Sequence, residues 1–72
     1  MKITFENSGT KHEIKTNDHG MFKQLLDEIN SILNDDSPVK YVTFMESNLI
    51  DRRFPADFIK NSIIITDYSN HP

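Results

Sequence analysis

The stretch HGMFKQLLDEINSIL, residues 19–33, decides the fold. Phe22, Leu25, Leu26, Ile29, Ile32 and Leu33 recur at the spacing of one face of an α-helix, while Lys23, Gln24, Asp27, Glu28, Asn30 and Ser31 occupy the other. Asn17 or Asp18 stands where a side-chain oxygen can accept from the backbone N–H groups of the first turn. Asn34, with Pro38 beyond it, supplies the stop. A helix with a single apolar stripe packs by one side only, so the rest of the chain must provide the surface that covers it.

On the N-terminal side, Met1 to Phe5 and Lys11 to Thr16 read as two strands joined by Glu6-Asn7-Ser8-Gly9-Thr10, whose Asn, Ser and Gly tolerate tight-turn dihedrals. Alternation sets Met1, Ile3 and Phe5 against Lys2 and Thr4. In the second strand His12, Ile14 and Thr16 oppose Lys11, Glu13 and Lys15. On the C-terminal side, Val39 to Glu46 has the alternation and residue types of a third strand. Within residues 47–61, Leu49-Ile50 is compatible with a short edge strand, but Pro55 argues against a central one; a loop with one helical turn is expected. Ser62 to Tyr68, with three consecutive isoleucines, reads as the last strand, and residues 69–72 as a loose tail. The whole is a single α+β domain over residues 1–72, a β-hairpin and one helix packed on a mixed sheet in ββαβ(β) order.

That order resembles the ubiquitin-like β-grasp fold. Ala56-Asp57-Phe58-Ile59 followed by Ser62-Ile63-Ile64-Ile65 is similar to the ubiquitin-like stretch in which a Ser-Asp-Tyr turn precedes the closing strand. The resemblance implies a sheet whose first and last strands run parallel at its centre. Its conjugation chemistry does not carry over, because the chain ends Asn70-His71-Pro72 without a Gly-Gly tail. A generic antiparallel α+β sandwich is the alternative from the same elements.

Composition narrows function mainly by exclusion. Seventy-two residues make one small core, which rarely supplies more than ~3–5 kcal/mol by itself, so packing, a partner or dimerisation is expected to add the rest. Zero cysteine removes disulfides, thiolate nucleophiles and Cys-based metal sites, and it agrees with a reducing, cytoplasmic setting. No apolar run approaches the ~20 residues of a membrane span, and no signal peptide is apparent. Nine Ile, seven Asn and six Lys against a single Ala lean towards AT-rich coding, as in low-GC bacteria and their phages.

The motifs of common chemistries are missing. His12, His19 and His71 lack ligand spacing, Gly9 and Gly20 form no phosphate loop, and no serine sits in a nucleophile elbow, so no catalytic, cofactor-binding or metal-binding residues are assigned. The expectation is a protein that is not an enzyme and carries no cofactor. Eight basic residues against eleven acidic ones give a net charge of −3, which disfavours direct nucleic-acid binding.

Three groups of residues are candidates for contacting a partner protein. Parity places Tyr41, Thr43, Met45 and Ile64, with Thr4 and Thr66, on the sheet face turned away from the helix, an open face suited to a partner or to a second copy in a homodimer. Residues 21–38 carry Lys23 against Asp27, Glu28, Asp35 and Asp36. This acidic side is either a solubilising face or the surface of a small phage-type inhibitor that blocks the nucleic-acid-binding site of a host DNA-handling enzyme. Arg52, Arg53 and Phe54, placed on a loop, join two cations to an aromatic; the plainer reading sets Phe54 in the core edge with the arginines solvated or paired to Asp51 and Asp57.

Overall fold

The computed structural model describes residues 1–35 and 40–69. The elements follow the order β1 (Lys2–Asn7), β2 (Thr10–Lys15), α1 (His19–Leu33), β3 (Tyr41–Ser47), β4 (Ile50–Pro55), α2 (Ala56–Lys60) and β5 (Ile63–Asp67), an α+β arrangement with one main helix. The helix occupies the residues its apolar stripe marks. Asp18 is the cap, its carboxylate accepting from the Met21 N–H at 3.0 Å, and the chain leaves the helix through Asn34 and then Asp35, which takes a left-handed φ of 56°. The first hairpin is tighter than expected. Asn7 lies opposite Thr10, so only Ser8 and Gly9 form the turn, with φ of 54° and 80°, the paired positive values of a type I′ connection.

Among the described residues, five strands form two sheets. One has the order β2-β1-β5 and the other consists of β3 and β4. Every pairing is antiparallel. The element order of the β-grasp resemblance is present, but the first and last strands run antiparallel, with Ile3 opposite Thr66 and Phe5 opposite Ile64, and β3 and β4 stand as a separate sheet. Alternation reads the same along a strand in either direction, so it carries no information about which way a strand runs.

Residues 47–61 also differ from expectation. Ile50–Pro55 is a strand rather than a loop, and the expected helical turn follows directly as Ala56–Lys60. Pro55 is tolerated because it ends β4 in a two-stranded sheet, where a missing N–H breaks no central ladder.

One buried cluster joins all the layers. Met1, Ile3, Phe5 and Ile14 come from the N-terminal strands, Phe22, Leu25, Ile29 and Ile32 from α1, Val42, Phe44 and Phe54 from the second sheet, and Ile59 from α2. The rings of Phe5 and Phe54, 4.9 Å apart, tie the two sheets together, and Phe58 meets Phe5 edge-on at 6.0 Å. The stripe of α1 is covered except at its end, where Leu33 is exposed.

Candidate functional site

The two edges of the three-stranded sheet are built from different residues. On β2 the outward side chains are Lys11, Glu13 and Lys15, all exposed, with Glu13 between Lys2 at 3.7 Å and Lys15 at 3.8 Å. Arg52 of β4 donates from Nη1 to the Glu13 backbone carbonyl at 2.8 Å, placing a β4 side chain against the β2 backbone. The inward residues of this edge are covered as well: Ile14 is buried, and the His12 ring meets Phe58 edge-on.

On the other edge β5 presents Ile63, Ile64 and Ile65. Ile63 is 63% exposed and Ile65 47%, both on the outer face, where Ile65 lies opposite Thr4 and Ile63 opposite Glu6. Ile64 points inward and packs on the core, yet it stays only partly buried, whereas Ile3, Phe5 and Ile14 of the same sheet are almost fully enclosed. The core thus runs out at β5. An edge strand also leaves a row of backbone N–H and C=O groups without a neighbouring strand. The free edge of β3 also has apolar residues on both faces, Val42 and Phe44 inward and Tyr41 and Met45 outward, but Thr43 separates its outer pair, whereas on β5 the isoleucines are consecutive.

The residues singled out from the sequence are scattered by comparison. Tyr41, Thr43 and Met45 do share the exposed face of β3, but they belong to the second sheet, while Thr4 belongs to the first. Thr4 points outward as expected and is nevertheless 5% exposed. Ile64 and Thr66 require correction: opposite Phe5 and Ile3, they lie on the core side, and the outward positions are Ile63 and Ile65. The single-residue offset reverses every side chain of a strand, and only pairing with β1 fixes it.

Arg52, Arg53 and Phe54 are on a strand, not a loop. Phe54 is buried, the Arg52 guanidinium lies 5.2 Å from its ring, and Arg53 lies over Tyr41 at 5.4 Å and 3.8 Å from Asp51. With His12, Pro55 and Phe58 they line an open depression of about 310 Å³ along the seam between β2 and β4.

On the acidic side, Asp27 holds Lys23 at 2.9 Å and Asp35 pairs with Lys60. The hydrogen bond and the charge of Asp35 raise the Lys60 ammonium above its ordinary pKa. Glu28 lines a shallow depression of about 230 Å³ with Met21, Gln24, Leu25, Thr43, Phe44 and Met45, so one acidic candidate and two sheet-face candidates do meet. Asp36 lies outside the described residues, as does His71.

The sequence does not single out Ile63 and Ile65. Their signal was the run of three isoleucines, which reads as a buried strand until its place at a sheet edge is known. No helix among the described residues is long and apolar enough to cross a membrane. No family model, curated protein or solved structure matches the chain.

Proposed function

We propose that this protein is a small protein-binding module, not an enzyme, that takes up an extended apolar segment along the edge of β5. One observation carries the reading: a strand of three isoleucines at the sheet edge in which no isoleucine is fully buried and, among the described residues, one backbone edge has no strand beside it. A segment added there gains main-chain hydrogen bonds along the edge and side-chain contacts on both faces, the mode of β-strand addition. The opposite edge, with its lysines and Glu13, discourages the same event. A reducing cytoplasm suits a chain that has no cysteine. The β-grasp-like element order adds nothing to this argument, since one fold hosts many functions.

The inhibitor reading, in which the acidic side of α1 occupies a nucleic-acid-binding surface, has less support. Asp27 and Asp35 each already hold a lysine, which lowers the field that side presents.

Selection of peptides from a random displayed library tests the module. The expected result is extended, β-branched sequences whose binding perturbs the backbone amides of β5 and β1 and falls roughly tenfold or more in Ile65→Lys, with Tyr41→Ala and Met45→Ala unchanged. Selected peptides whose binding depends on Tyr41 or Met45, or on Asp27, would move the site away from β5.

A further inference from the structure

Building on the reading of β5 as the binding edge, we infer that its occupant is a second copy of this chain, the two β5 strands pairing antiparallel about a two-fold axis at Ile64. The sequence of the strand is self-complementary in this register. Directly opposed residues in an antiparallel pair share a face, so a symmetric pairing that keeps the two outer faces on one side must set residues of equal parity against each other. An axis at Ile64 places Ile63 opposite Ile65 of the second copy, and Ile65 opposite Ile63, on the outer face. Ile64 meets Ile64, and Thr66 meets Ser62, on the inner one.

The neighbouring registers are poorer. Each opposes isoleucine to isoleucine at one position only: an axis at Ile65 sets Ile63 against Asp67 and Ile64 against Thr66, and one at Ile63 sets Ile64 against Ser62 and Ile65 against Asn61. Parallel pairing in register stacks Asp67 beside Asp67. In the Ile64 register Asp67 instead faces Asn61, so the two acids are kept apart.

The pairing also covers what the monomer leaves bare. The inner side of Ile64, partly buried in one copy, gains the same residue of the other, and Ile63 and Ile65 form a four-isoleucine patch across the joint. The product is a six-stranded sheet in the order β2-β1-β5-β5-β1-β2. Its two ends are the charged β2 edges, which discourage further strands, so this sheet closes as a dimer.

Light scattering and oxidative cross-linking of the purified full chain test this. A mass twice the 8.4 kDa of the chain is expected in the micromolar range, with Ile65→Lys and Ile63→Lys each weakening association by roughly tenfold or more while the helical circular dichroism is kept. Because the chain has no cysteine, single replacements report the register. Ile64→Cys should form an intersubunit disulfide under mild oxidation, and so should a mixture of Ile63→Cys with Ile65→Cys, whereas Ile65→Cys alone should not. A disulfide from Ile65→Cys alone overturns the register. A monomer at every concentration overturns the second copy as occupant, and if that monomer still captures library peptides in a manner lost in Ile65→Lys, the strand-addition reading stands without it. A monomer whose peptide binding ignores Ile65→Lys removes both.

Discussion

The β2 and β5 edges belong to one three-stranded sheet and flank the same central strand, yet they are finished in opposite ways. β2 alternates Lys11, Glu13 and Lys15 outward, and Arg52 from the second sheet bonds to its backbone. β5 presents three isoleucines and, among the described residues, has no such cover. Where a sheet edge has nothing to meet, lysines and acids keep other strands away, and where apolar side chains are retained, something is expected to meet them.

The largest expected effect breaks the comparison altogether. Phe5→Ala removes the ring that packs on Phe54 and Phe58 beneath both edges, and should cost ~3–5 kcal/mol, read as a lower urea midpoint or as failure to fold. Next comes the exchange of edge character. Lys11→Ile with Lys15→Ile gives β2 the apolar outward face of β5, and the expected outcome is concentration-dependent growth of large species in light scattering, which Ile65→Lys in the same chain should cap at a smaller size. Continued growth of that triple variant would show that β5 contributes nothing to assembly.

Smaller effects sharpen the contrast by leaving one edge untouched. Gly9→Ala puts a Cβ on a residue at φ 80°; the space is open, so the cost is backbone strain of ~1–2 kcal/mol, loosening the hairpin and β2 while association through β5 persists. Asp18→Ala removes the cap of α1 and should lower stability by about 1 kcal/mol in thermal or urea unfolding without altering either edge. The Asp35–Lys60 pair concerns neither edge and should matter least. Because the folded state raises the lysine pKa, its contribution is fully present below the ordinary value of 10.5 and is lost as pH rises through the raised one. The stability difference between wild type and Lys60→Gln should therefore stay constant around neutrality and shrink only above 10.5.

How legible the molecule was in its sequence depended on how far apart the interacting residues lie. The helix was read to its ends because a stripe of period 3.6, a capping carboxylate and the Asn34 stop are all local. The inward set Ile3, Phe5 and Ile14 was read from alternation within one hairpin, where the turn fixes the register. β4 is not legible in the sequence because Pro55 reads as an interruption, and only its pairing with Tyr41 shows that it is a terminus. The sequence misplaces Ile64 on the outer face, where Ile63 and Ile65 stand, for a related reason. Three identical residues have no alternation of their own, so Phe5, far away in the chain, decides which of them turns inward.

The sequence by itself determined that this is a small α+β domain with one amphipathic helix, a charged first hairpin and a terminal isoleucine strand, because periodicity, caps and turn residues act over a few positions. Tertiary structure alone decided that β5 runs antiparallel to β1, that it ends the sheet, and that the isoleucine run is left half open. Direction, register and edge position are properties of pairs of strands, and a strand's own residues are the same whichever neighbour it finds.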